Sequence, residues 1–353
     1  PFFCYYLSIE LIFHAKVDCD GFGLGGRFIG PALRAVKHGG LIYLTNTDGR
    51  TSSGKNPALC LANYGSWANQ VDCPNEQGLR LLLGAVAQEA AVQRLEVEPV
   101  FSLYSPHGPV FRCMVRVSPT KRPDLFLARE RRFTAHCRAC GQTGVVAWED
   151  LGCPAPGCSC AATRAAGRAP SRRGDRPANR VDQSRSSEPA ADGGAAVVGG
   201  GAVEAAEAAD EGAAEAAVAM SGPLWVGPLH DGAALVRMAG LAEELGWDDL
   251  KPLLETLKGE ADPRLPPLFH DIHDLSKRAG TDPPPRSLLE ARLRAGGYLA
   301  TRTHVDMTRG VKTDAPMEAC VEATAGADAD AKTARAAKHF AMEGQDLNGA
   351  VSS

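Results

Sequence analysis

Val17–Gly23 reads VDCDGFG: two acids, Asp18 and Asp20, followed at once by an aromatic, Phe22, between glycines. The apolar run Ile9–Phe13 leads into it, which predicts a strand over 9–18. A carboxylate at the carboxyl end of a strand, beside a ring that can lie on a flat base, suits chemistry on a nucleobase. The same residues fit a second pattern. Gly21, Gly23 and Gly26 match G-x-G-x-x-G ahead of a helix-like segment, Arg27–His38, with Asp48 about twenty residues on. Read that way, the turn seats a pyrophosphate on a helix N-terminus. A glycine-rich strand-to-helix turn with no ligand fits as well, so the rest of the chain has to decide.

Working outward, apolar periodicity predicts a β-α-β-α-β-β order. The strands are 9–18, 40–47, 96–103 and 111–117, and the helices are 27–38 and 75–94. Leu79, Leu82, Leu83, Val86 and Ala90 carry the helical spacing, and Gly39-Gly40 stops the first helix. Alternating strands and helices imply an α/β class with a mostly parallel, doubly wound sheet, finished by a hairpin. In such sheets a ligand lies outside the carboxyl ends of the strands, where Asp20 and Asp48 are expected. The first strand would present an apolar edge, so a further segment is expected to pair with it.

The chain has 353 residues and is 44% hydrophobic, enough for two domains with their own cores. A formal charge of -4 does not decide for or against nucleic acid, because distribution matters more than the sum. Between Arg112 and Arg138 there are eight Arg or Lys against two acids, a local basic strip. Of eleven cysteines, five fall between Cys137 and Cys160, which favours a metal site in a reducing compartment over a disulfide framework. No run approaches the length of a membrane span, so no membrane partner is expected. The chain starts without Met inside a core-like strand and reads as a fragment.

Residues 161–220 turn to Arg, Ser and Pro and then to Gly, Ala and Glu, without large apolar residues at core spacing. That composition predicts a disordered insertion. Order returns at SGPLWVGPLHD (221–231), with helices expected at 234–245, 250–258 and 286–295 and a strand at 298–304. His230-Asp231 and the His270–Asp274 group have no zinc spacing and read as solvated helix faces. Beyond 319 small and charged residues take over, and a loose tail is expected.

Eight stretches in order resemble the tRNA guanine-26 N2-dimethyltransferase family: VDCDGFG, ALRAVKHGGLIYLTNTD, ANYGS, EQGLRLLLGAVAQEAA, VEPVFSLYS, FRCMVRV, GPLWVGPLHD and GVKTDAP. They span about two thirds of the chain. The resemblance implies S-adenosylmethionine as methyl donor and tRNA as substrate. It also implies the C-terminal half of a Rossmann-like methyltransferase sheet plus a helix-rich α+β C-terminal domain. The family signature D-x-D-P-[FY]-G stands here as Asp18-Cys19-Asp20-Gly21-Phe22-Gly23. Asp20 would then accept a proton or hydrogen bond from the exocyclic amine of guanine, and Phe22 would stack on the base. Asp18, Gly21 and Gly23 would border the cofactor. Arg112 and Arg116 would contact RNA, with Lys121 and Arg122 of the basic strip as further phosphate candidates. Lys312 and Thr313 would contact RNA or the methyltransferase domain, and a plain capped turn before Pro316 fits them equally.

The likeness also implies a structural zinc, since family members carry two C-x-x-C pairs here. Cys137 and Cys140 form the first pair, and Cys158 with Cys160, or Cys153 with Cys158, would complete it. Departures are specific. The family's proline is Gly21, the C-H-E-M-A-L-R helix start has become Cys73–Arg80 with Glu76 and Arg80 kept, and Pro109-Val110 replaces an aromatic. The family's N-terminal half, with its glycine-rich cofactor loop, has no counterpart. On that ground the chain alone is expected not to bind cofactor tightly, and a catalytically inactive tRNA-binding fragment is the alternative reading.

The expected division is 1–118 methyltransferase half, 119–160 cysteine-rich region, 161–220 insertion, 221–318 RNA-binding domain and 319–353 tail. The likeness places the protein inside the cell, in nucleus, mitochondrion or plastid.

Overall fold

The structure is a computed structural model that describes residues 14–21, 26–105, 108–151 and 218–349, with side chains of the last helix through 335. The expected insertion at 161–220 lies outside these residues, save for its last three.

The class is mixed α/β. Strand β1 (His14–Asp20) leads through helix α1 (Gly26–Ala35) to β2 (Val36–Asn46), and the two strands pair in parallel. Two short helices, α2 (Gly49–Ser52) and α3 (Pro57–Tyr64), precede the long helix α4 (Pro74–Val92). Strands β3 (Leu95–Ser105) and β4 (Val110–Pro119) then form a hairpin. The sheet order is β1-β2-β4-β3, so β4 slots antiparallel between β2 and β3. The tight hairpin forces β4 against β3, while the crossover through α4 has already carried β3 one place beyond β2. Among the described strands only β1 and β2 pair in parallel, where a mostly parallel sheet is expected from sequence.

Leu79, Leu82, Leu83, Val86 and Ala90 are buried, as their spacing predicts. Helix α4 is in fact buried almost all round, because it lies between the first sheet and a second one. Two glycines permit that. A Cβ at Gly78 would meet the Phe111 ring at 2.5 Å, and one at Gly84 would sit 3.2 Å from the Leu224 backbone.

The second sheet has the order β6-β5-β7, formed by β5 (Arg131–Cys137), β6 (Thr143–Val146) and β7 (Val218–Trp225), with α5 (Pro123–Glu130) ahead of it. Strand β5 ends on Cys137, the first cysteine of the C-x-x-C pair, and β7 carries the GPLW segment, so residues assigned to separate units by composition share one sheet.

The C-terminal part comprises α6 (Gly232–Glu244), α7 (Lys251–Glu260), β8 (His270–Asp271), α8 (Ile272–Ala279), α9 (Arg286–Ala295), β9 (Ala300–Arg302) and β10 (Gly310–Thr313). Its small sheet has the order β8-β10-β9. Ile272, Leu275, Leu289, Leu293, Val311 and Cys320 form its apolar centre.

The loose tail expected beyond 319 is instead helix α10 (Met317–Gly349). Alanine is the best helix former, and this segment is rich in it. Cys320, Thr324 and Ala327 are buried, and Arg292 of α9 pairs with Asp330 at 2.7 Å. Small residues every three to four positions made the packing face hard to see, since no large side chain marks it. Among the described residues, no helix is long and apolar enough to cross a membrane.

Candidate functional site

Asp20 ends β1 with its side chain exposed, and its register partner on β2 is Thr45. Thr45 pairs in turn with Arg112 of β4. Paired residues share a sheet face, so Asp20, Thr45 and Arg112 form one row across three strands. One row back stand Asp18, Tyr43 and Met114, and behind those Lys16, Leu41 and Arg116. Asp18, Asp20, Arg112 and Arg116 therefore share a face. The opposite face, with Cys19, Ile42, Leu44, Cys113 and Val115, is buried. Burial raises the Tyr43 hydroxyl pKa, Arg112 lowers it, and Asp18, Cys113 and Asp20 add to the rise.

Gly21, where the family pattern has proline, donates its N–H weakly to the Thr45 carbonyl at 3.4 Å. A Cβ at Gly21 would touch the Phe28 ring and Thr45 O at 3.4 and 3.5 Å, ordinary contact distances. Phe22 and Gly23 lie outside the described residues.

Beside this row, the end of β2 is fixed by a polar lattice that the sequence did not announce. Asn46 Nδ2 donates to the Tyr64 hydroxyl at 2.6 Å, and Tyr64 donates to Asp48 Oδ2 at 3.0 Å. Asp48 also caps α2, accepting from Thr51 N at 3.1 Å and from the Thr51 hydroxyl. Asp48 N donates back to Asn46 Oδ1 at 2.9 Å. Both Asp48 oxygens are thus engaged inside the protein, which removes it from the ribose-holding role of a dinucleotide fingerprint. Burial pushes the Tyr64 hydroxyl pKa well up, so it stays a neutral donor.

Of the residues assigned to RNA, Arg112 and Arg116 are half-buried on the open sheet face, and Arg116 Nη1 also donates to Gly39 O at 3.3 Å. Lys121 and Arg122 are exposed, with Arg122 paired to Asp124 at 2.8 Å. Lys312 and Thr313 are each only 2% exposed, which corrects the RNA expectation, while for Lys312 the alternative, contact with the methyltransferase half, is what the structure shows. Lys312 Nζ lies 2.7 Å from Glu76 Oε1 of α4 and 3.9 Å from Glu260 Oε1 of α7.

Glu76 Oε1 gathers further donors: Arg80 at 2.8 Å and the Leu268 amide at 2.9 Å. Arg80 goes on to Trp225 O and Gly227 O, both at 3.0 Å. Burial pushes the Glu76 carboxyl pKa up, and Lys312 and Arg80 more than reverse this, leaving it below the ordinary value. A Glu-Arg pair at i,i+4 leading into a run of leucines was the sequence signal for this buried network.

The second carboxylate, Glu260, accepts from the Thr303 hydroxyl at 2.6 Å, His304 N at 3.0 Å and His304 Nδ1 at 2.5 Å. Its pKa lies well below the ordinary value, because burial is outweighed by His304, His230 and Lys312. His230 is buried rather than solvated, correcting the sequence reading. Its Nδ1 accepts from Ser102 N at 3.2 Å. The neutral ring therefore carries its proton on Nε2, which points to Glu260 Oε2 at 3.7 Å. His230, Glu260 and His304 are close enough to suggest a cation site. Yet a protonated Nε2 has no lone pair to give, and the Lys312 ammonium already fills the charge role.

Cys137 ends β5 and Cys140 sits in the turn that follows, where Gly141 N donates to Cys137 O at 2.7 Å and Cys137 N to Gln142 O at 2.9 Å. Gly141 takes φ +80°, the left-handed conformation such a tight reversal needs. A short turn presenting two cysteines suits half of a tetrahedral thiolate set. Cys153, Cys158 and Cys160 lie outside the described residues.

Comparison with known proteins gives a consistent result. The family model described as N2,N2-dimethylguanosine tRNA methyltransferase matches residues 5–325. A tRNA (guanine(26)-N(2))-dimethyltransferase of Pyrococcus abyssi is 26% identical over 311 residues, which cover 88% of this chain and 64% of that protein. One of Schizosaccharomyces pombe is 26% identical over 310 residues, 86% of this chain and 49% of that protein. The chain thus spans less than two thirds of the length of these relatives. Among solved structures, Trm1 from Pyrococcus horikoshii with S-adenosyl-L-methionine superposes with a TM-score of 0.61 at 24% identity, covering 88% of this chain and 65% of that one, a likeness of fold. On the family match, the chain belongs to the N2,N2-dimethylguanosine tRNA methyltransferase family.

Proposed function

We propose that the chain carries the guanine end of a tRNA (guanine-26 N2)-dimethyltransferase, with Asp20 as the group that engages the exocyclic amine. The observation that carries this reading is the row Asp20–Thr45–Arg112, an exposed carboxylate at a strand end on one face with an arginine.

The amine lone pair of guanine is delocalised into the ring. Attack by that nitrogen needs an acceptor drawing on its N–H as the new bond forms, which is general-base assistance. Asp20 supplies the acceptor oxygen. The Asn46–Asp48–Tyr64 lattice holds the adjoining strand end still, so that Thr45 and the backbone facing Asp20 do not shift. Phe22 would stack on the base, worth about 1–3 kcal/mol. Guanosine 26 lies within the tRNA body and must be turned out of its stack at a cost of a few kcal/mol. Arg112 and Arg116, with Lys121 and Arg122 along the strip, would offset that cost through phosphates.

S-adenosylmethionine, when bound, supplies the electrophilic methyl group. By the family likeness Asp18 and Gly21, on either side of Asp20 in the chain, would border it, with Gly23 beyond the described residues. A structural zinc on Cys137 and Cys140, completed from the cysteines that follow, would brace the β5–β6 turn. By family likeness the protein works where tRNA matures, in nucleus, mitochondrion or plastid.

Isothermal titration of the chain with S-adenosylmethionine, followed by filter binding of a tRNA transcript, tests the division of labour. Retention of tRNA with no measurable cofactor binding fits a guanine-side unit. Absence of tRNA binding contradicts the reading.

A further inference from the structure

The network around Lys312 joins elements far apart in the chain. Glu76 lies on α4, beneath the sheet that bears Asp20, whereas Glu260, His304 and Lys312 belong to the C-terminal part. Each of these side chains is nearly or wholly removed from solvent. The formal charges of Glu76, Arg80, Lys312 and Glu260 cancel, and Lys312 is the cation that faces both carboxylates.

A second observation points to the same joint. Leu268 adopts φ +72°, a left-handed conformation that an ordinary side chain rarely takes. Its amide donates to Glu76 Oε1 at 2.9 Å, and its side chain is buried in the same core as α4. The carboxylate that Lys312 holds therefore also holds a strained residue of the segment leading into β8. Such strain persists only where surrounding structure over-determines it.

We propose that Lys312 is a positioning residue: shared between Glu76 and Glu260, it fixes how β10 and the Leu268 segment of the C-terminal part sit against α4, and so relative to the strand end that carries Asp20. What is being positioned rests on the functional reading above; the joint itself does not. Hydrophobic packing alone would leave the two parts free to slide along a greasy face. A buried ammonium between two carboxylates accepts one register, because any other leaves a charge without a partner in a dry interior.

The test is a double-mutant cycle in the intact chain, Lys312→Met, Glu76→Gln and both together. Either single change leaves the buried set with one net charge, and the pair restores neutrality. The urea midpoint is expected to fall in each single variant and to recover in the double. Amide exchange over residues 262–271 should quicken roughly tenfold or more in Lys312→Met, while the β2 segment keeps its wild-type rate. Additive losses in the cycle, or exchange that quickens equally in β2, would overturn the proposal. If Lys312→Met alone does not fold, the double variant decides, with restored folding in support and failure against. None of these readouts requires methyl transfer, so an inactive chain leaves the joint to stand or fall separately.

Discussion

Lys312 Nζ stands 2.7 Å from Glu76 Oε1, and the two side chains come from stretches of the sequence 236 residues apart. Both stretches belong to the family pattern, and the structure makes them one feature. Polarity near the end of the chain fitted contact of Lys312 with RNA or with the methyltransferase half, and the fold turns the residue inward onto the latter. Polar residue types in a short segment do not reveal which way a strand faces.

Removing Glu76 should therefore cost more than any surface charge. Glu76→Ala leaves Lys312 and Arg80 buried without their carboxylate and strips the Leu268 amide of its acceptor. A loss of about 3–5 kcal/mol is expected from breaking a buried pair on one side. Urea denaturation followed by tryptophan fluorescence measures it.

Acid should weaken the protein before its carboxylates titrate. Burial lowers the His230 pKa from 6.5 to about 4, with Glu260 opposing that shift and His304 and Lys312 adding to it. The unfolded chain takes up this proton near its ordinary pKa, and the folded chain resists until about 4. Stability from His230 is thus complete above pH 6.5 and lost as pH falls toward 4, by up to roughly 3 kcal/mol. Burial lowers His270 in the same way, so the observed slope exceeds one group's share. His230→Gln should flatten the dependence of the urea midpoint on pH between 6.5 and 4.5 by roughly one proton. An unchanged slope would show that His230 is not held neutral.

At the candidate site, scaffold and chemistry should separate cleanly. Tyr64→Phe removes the donor to Asp48 and leaves Asn46 Nδ2 buried without an acceptor. About 1–3 kcal/mol of stability should go with it, visible as a lower melting temperature. Asp20→Asn alters an exposed strand end and should change stability by no more than about 0.5 kcal/mol.

Much of this fold was legible from periodicity. Helix α9 falls on the expected residues, and α4 and the β3–β4 hairpin lie within a few positions of theirs, because large apolar residues recur at clear spacing. Helix α10 was not, since its packing face is built from Cys320, Thr324 and Ala327, which carry little hydrophobic signal. The place of Asp20 near a strand end was legible because the apolar run ahead of it is a local pattern. The Asn46–Asp48–Tyr64 lattice and the Glu76–Lys312 contact were not, for they depend on which distant segments the topology brings together.

The cysteine turn gives a separate test. If Cys137 and Cys140 hold half of a structural zinc site, the purified protein should contain close to one zinc per chain by elemental analysis. Cys140→Ala should lower that content and the melting temperature together, and a chelator should reproduce the effect on the wild type. Equal zinc in both proteins would dismiss the site.

The measurement that bears most directly on Asp20 is transfer of labelled methyl from S-adenosylmethionine to tRNA transcripts with guanosine or adenosine at position 26. It is made with the natural gene product and with its Asp20→Asn variant. Label should enter the guanosine transcript alone, and Asp20→Asn should lower kcat about a hundredfold or more while tRNA affinity holds. Undiminished transfer by Asp20→Asn, or equal labelling of the adenosine transcript, would contradict the assignment of this strand end to the guanine amine.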